Sequence, residues 1–173
     1  MFDTSPSGLC QSSDASYTPA MTLYDVLKVV HVLGAVIWVG GGIMGHIVAG
    51  RASRSNDTAK IAVAGADAEW IGNRVFFPAS IVLLVVGIWM VVISGWNFSD
   101  LWIILGIVGY AASAINGMAF LSPVSKRVGE MAAASDSVTP ELRAQLDRLT
   151  LLSRVDLTIL ILVVIDMVIK PGV

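Results

Sequence analysis

The sequence predicts an all-α integral membrane protein. It reads as a bundle of four transmembrane helices with both termini outside and an amphipathic helix in each cytoplasmic loop. Three observations lead there. Of the 173 residues, 55% are hydrophobic and 14% charged, where a soluble domain carries about 25% charged residues. Four segments approach the roughly 20 apolar residues that cross a bilayer. Nine of the eleven Lys and Arg residues fall in only two of the intervening stretches.

Residues 1–20 are polar and Ser-rich, with no basic segment ahead of a short apolar core, so they predict a disordered tail rather than a signal peptide. Met21 stands directly before the patterned region and is an alternative start. Cys10, the only cysteine, can form neither an intramolecular disulfide nor a thiolate cluster. Residues 21–173 form the four-span domain.

The spans are expected at residues 23–50, 75–93, 101–121 and 155–169. The first would be about 40 Å long at 1.5 Å per residue, so it must tilt or project. Arg51, Arg54, Lys60 and Arg74 lie between the first two spans; Lys126, Arg127, Arg143, Arg148 and Arg154 lie between the last two. Residues 94–100 hold no basic residue. The positive-inside rule then puts both long loops in the cytoplasm. Trp96, Phe98 and Trp102 fit the outer aromatic belt, and Trp70, Phe76 and Phe77 the inner one.

Thr139-Pro140-Glu141 reads as an N-cap, a proline at the first helical position and an acid in the first turn. Leu142, Leu146 and Leu149 follow at helical spacing, which predicts an amphipathic helix on the bilayer surface. Residues 59–70 are its weaker counterpart.

Ionisable residues inside a membrane helix are costly, and each is a functional hypothesis. His31 lies about 12 Å from the outer end of the first span. On a helical wheel Trp38 and Gly42 fall about 20° to either side of it and Gly45 about 40° away. Two readings stay open: the histidine ligates haem iron or another metal while the glycines admit a flat ring, or the glycines admit a neighbouring helix and His31 makes one hydrogen bond across it. Gly41 and Gly45 also form a GxxxG pair. His46 is about 22 Å further along and cannot share a metal with His31. With two histidines, a bis-histidine dihaem cannot form in one subunit.

The third span carries Gly109, Ser113 and Gly117 at four-residue intervals, a helix-contact pattern, with Asn116 placed to bond across it. In the fourth, Asp166 matches the depth of Lys28, and Asp156 that of Arg74 or His46. These predict structural charge pairs, Lys28–Asp166 and Arg74–Asp156, with Asp25–Lys170 one turn further out. No phosphate-binding loop, dinucleotide fingerprint or hydrolase motif occurs. The net charge of −2 argues against a nucleic-acid partner.

Three runs carry a family resemblance: LKVVHVLGAVIWVGGG, NRVFFPASIVLLVVGIWM and SRVDLTILILVVIDMVIKP. Over residues 23–171 the chain resembles a bacterial family of predicted integral membrane proteins of unknown function. Leu27-Lys28, His31 and Trp38 alone also resemble the first helix of HemJ-type protoporphyrinogen oxidases and of copper-resistance D membrane proteins. That likeness implies a haem held by His31; as the ligand set in this chain, His31 alone or His31 with a methionine such as Met90 or Met118 stays open. The chain departs from the HemJ pattern in carrying Gly40-Gly41-Gly42-Ile43-Met44-Gly45 after the tryptophan and no lysine in spans two and three.

The resulting expectation is a small multi-pass protein of the bacterial inner membrane with a haem-linked redox role through His31. Two alternatives stand beside it. One is a non-enzymatic accessory subunit that packs through glycine-rich faces on a membrane-protein partner or a second copy. The other is a permeation protein for a small solute or metal.

Overall fold

A computed structural model describes residues 21–172; the expected tail, with Cys10, lies outside the described residues. Helix α1 (Leu23–Arg54) opens on a capping box. Thr22 Oγ1 accepts the Asp25 N–H at 3.3 Å, and the Asp25 carboxylate accepts the Thr22 N–H at 3.0 Å. Two donors that the first turn leaves unpaired are thereby satisfied. Helix α2 (Thr58–Ile71) is capped by Asp57, which accepts the Lys60 N–H at 3.2 Å. A π-helical turn (Gly72–Phe76) joins it without a break to α3 (Phe77–Ser94), which ends at Gly95 with φ 73°. Helix α4 (Leu101–Ile115), a second π turn (Asn116–Leu121) and α5 (Ser122–Ala133) form the next continuous rod. Helix α6 (Pro140–Ile169) starts at the Thr139 cap and the N1 proline that the sequence signalled.

The loops expected to hold separate amphipathic helices are reduced to residues 55–57 and 134–139. Their helical content is fused to the spans, giving rods of 37 residues (Thr58–Ser94) and 33 residues (Leu101–Ala133). The fusion turns on two prolines. Pro78 and Pro123 lack an N–H, and their rings crowd the carbonyl four residues back. Just ahead of each, the helix widens by one residue: the Phe77 N–H reaches Gly72 O, and the Ser122 N–H reaches Gly117 O. The wider turn absorbs the proline without ending the helix.

Among the described residues, α1 and these two rods are long and apolar enough to cross a membrane. Helix α6 has 30 residues, about 45 Å, but carries Arg154 at its middle and Asp156 and Asp166 in its C-terminal half. Contacts run α1 to α3, α4 to α6, α1 to α6 and α2 to α5.

The main core lies at the basic end, beside the 55–57 and 134–139 connections. Ile61, Val124, Val128, Ala132, Leu142 and Leu146 pack there, and Leu142 is fully buried. The leucine stripe of residues 142–149 therefore faces protein, not a bilayer surface as its pattern suggested. Gly65 and Gly129 let α2 and α5 touch along their backbones: a Cβ on Gly65 would sit 2.7 Å from Gly129 Cα. A smaller cluster of Val91, Trp102 and Ile103 closes the opposite end.

Candidate functional site

Glycine notches join the helices in the apolar half. Leu83 fills the space beside Gly34, Phe76 that beside Gly41, Met167 that beside Gly106 and Val163 that beside Gly109. Between these notches lie the polar groups of the bundle interior. Asp156 of α6 accepts from Ser113 Oγ at 2.8 Å and from Asn116 Nδ2 at 3.2 Å. The Asn116 amide also donates to the Leu152 carbonyl at 3.2 Å. Asn116 begins the second π turn, and it and Ser113 are both buried.

One turn back on α6, Ser153 Oγ shares a 2.6 Å hydrogen bond with His46 Nδ1 of α1. Tyr110 O–H donates to the Ser80 carbonyl at 3.1 Å. Its ring meets Trp38 edge-on, with centroids 5.3 Å apart. A buried carboxyl without such partners would cost several kcal/mol, on the order of the desolvation penalty of an unpaired polar group or more. The Ser113–Asn116–Asp156 cluster thus joins α4 to α6 with a polar link.

The expected charge pairs do not form. The described residues make two salt bridges, Lys60–Asp57 and Lys126–Glu69, both at the basic end. Asp156 is satisfied by neutral donors on the adjacent helix, while Arg74 is exposed. Asp166 lies beside Gly106, and its two oxygens are buried with no partner among the described residues; Lys28 is exposed on α1. Equal depth was not enough, because rotation about each helix axis turns Lys28 outward. Asp25 is engaged by the Thr22 cap. Lys170 instead sits over Trp96 and Trp102, 5.1 and 5.0 Å from their ring centroids. This cation–π seat ties the end of α6 to the α3–α4 connection.

The four residues proposed to hold haem separate in space. His31 packs on α3: its Cε1 lies 3.1 Å from where a Gly87 side chain would begin, and its Nδ1 is buried without a hydrogen bond of normal geometry, although the ring lies near the Leu83 backbone. Trp38 turns to Tyr110 on α4. Gly42 faces Leu160 of α6, and Gly45 faces open space. The orphan nitrogen suits a ligand. The glycines, however, do not form a flat slot beside it, so these residues do not fit a porphyrin held inside one chain.

The sequence reading missed Ser153, Tyr110 and the Trp96–Lys170–Trp102 seat. Ser153 carried one available signal: it lies three residues before Asp156, on the same helix face.

A sequence model of the family described as "Predicted integral membrane protein (DUF2269)" matches residues 25–171. No curated protein and no solved structure matches the chain. With the match covering both ends of the helical domain, the chain belongs to the DUF2269 family of predicted integral membrane proteins.

Proposed function

We propose that the protein is a non-enzymatic accessory subunit of a bacterial inner membrane, built to pack against another membrane protein or a second copy. It crosses four times, with both termini outside. The observation that carries this reading is the division of glycines on α1. Gly34 and Gly41 are filled from within the chain by Leu83 and Phe76, whereas a Cβ on Gly40 or Gly45 would meet nothing within 4 Å. Gly117 on the second rod is open in the same way. Small residues at lipid depth allow close backbone approach, the usual source of helix association where apolar burial gives no driving force.

The fourth crossing is supported by α6 lying along α4 and α1, with Asp156 bonded to α4. The orientation is supported by the basic residues around residues 55–57 and 134–139 and their absence from residues 94–100.

The test is the oligomeric state of the full chain in mild detergent, measured with Gly45→Leu alongside. The expected result is a defined complex for the parent and its loss in the leucine variant. A monomer without a co-purifying partner in both samples would overturn the reading. A second reading, a redox role through His31, has one observation in its favour, the unpartnered Nδ1. An absorption spectrum of protein made with ample haem decides it. A Soret band lost in His31→Ala but kept in His46→Ala would replace the accessory reading.

A further inference from the structure

Arginines from α1 and α6 converge at the basic end. A cleft of about 450 Å³ opens between the two helices, lined by Arg51, Arg54, Arg143 and Arg154, with His46 at its inner wall. Asp147 is the one acid on its lining. Neither salt bridge among the described residues involves these four arginines. Arg143 is pinned in place: it donates to the Ser53 carbonyl at 3.3 Å and to Asn56 Oδ1. His46 is likewise fixed by Ser153.

Arginines that merely reach for water at a membrane boundary would diverge into solvent separately. These four face one space and leave it with a surplus of about three positive charges. The C-terminal dipole of α1 favours Arg51 and Arg54 but offers only about half a negative charge. It therefore leaves most of the surplus uncompensated.

We propose that this cleft binds a phosphate group, through guanidinium forks that match its oxygens two at a time. Two sources carry that chemistry. One is an anionic phospholipid headgroup, for which the exposed Ile47 on the cleft's lining supplies an apolar contact for an acyl chain. The other is free phosphate from the aqueous side. The proposal does not rest on the accessory-subunit reading.

The test uses the full chain in mild detergent, with phosphatidylglycerol, phosphatidylcholine and inorganic phosphate as probes. Native mass spectra should show phosphatidylglycerol retained at roughly tenfold lower concentration than phosphatidylcholine, a difference of about 1.4 kcal/mol. The double variant R51Q/R154Q should lose that preference. Both side chains are exposed, so its melting without ligand should match the parent, and this is checked first. The control R127Q/R148Q removes the same charge from a separate groove between α5 and α6 and should keep the preference. A lipid preference lost only in the cleft pair supports the headgroup source. A melting shift with inorganic phosphate, lost only in the cleft pair, supports the free source. Equal losses in both pairs, or neither effect in the parent, would overturn the site.

Discussion

The two halves of this molecule are packed by different rules. At the basic end, α2, α5 and the first turns of α6 bury Ile61, Val128 and Leu142 almost completely around a backbone contact between Gly65 and Gly129. In the other half, large apolar side chains point outward, and neighbouring helices meet through glycine notches and a few hydrogen bonds. We infer that the difference follows from the solvent, with the basic end in water and the apolar half in lipid. In water, burying a leucine removes apolar surface from a medium that disfavours it. In lipid the same burial gains little, so close approach and polar links do the joining. One helix, α6, takes part in both kinds of packing.

That contrast can be broken by matched substitutions. Leu142→Ala at the basic end should cost about 2–5 kcal/mol, the range for a buried leucine. Leu162→Ala, on the outward face of the same helix, should change stability by less than about 0.5 kcal/mol. Denaturation of the two variants in one detergent checks this; comparable losses would erase the distinction.

The glycines give a second pair, with opposite signs. Gly65→Ala must push against the α5 backbone and should destabilise by about 1–3 kcal/mol. Gly72→Ala, in the first π turn and away from the proposed contact face, meets nothing within 4 Å and should raise the melting temperature, since alanine is favoured in a helix by about 0.5–1 kcal/mol. Thermal melts of both would show the split.

The polar link in the apolar half is expected to be weaker. A double-mutant cycle with Ser113→Ala and Asp156→Asn should return a coupling of about 0.6 kcal/mol, and at most about 1.7 kcal/mol. Additivity would mean that the Ser113–Asp156 bond contributes nothing.

The smallest effect concerns pH. The Lys60 ammonium, and secondly the Lys60 backbone N–H, hold the Asp57 carboxyl below its usual range. Its contribution is fully present above the ordinary carboxylate pKa and is lost as pH falls through the lowered value. Asp57→Asn should therefore flatten the acid limb of the stability profile slightly and leave neutral pH nearly unchanged.

Much of this was legible in the residues. Apolar runs separated by basic stretches announced helices at membrane depth, and Thr139-Pro140-Glu141 marked the start of α6. The continuity of the rods was not legible. The second span was expected to begin at residue 75 and the third to end at residue 121, because nothing local says that a π turn will carry the helix past Pro78 or Pro123. The site was less visible than the fold. Sequence spacing gives depth and face along one helix but not the rotation of its neighbour. Lys28 and Asp166 therefore looked like partners, while Asp156 found Ser113 and Asn116. The same gap placed Trp38 and Gly42 beside His31, although Trp38 turns to Tyr110 and Gly42 to Leu160.

The central claim is that α2, α5 and the start of α6 form a protein core in water, beyond the bilayer. Val63 on α2 and Val108 on α4 test it most directly, because they are the same residue type at 61% and 60% exposure in the two halves. Nitroxide labels on Val63→Cys and Val108→Cys, in a Cys10→Ser background in lipid vesicles, report collisions with oxygen and with a water-soluble nickel complex. The account predicts that the Val63 label collides mainly with nickel and the Val108 label mainly with oxygen. If the Val63 label met oxygen as readily as the Val108 label, α2 would lie in the membrane and the account would be contradicted.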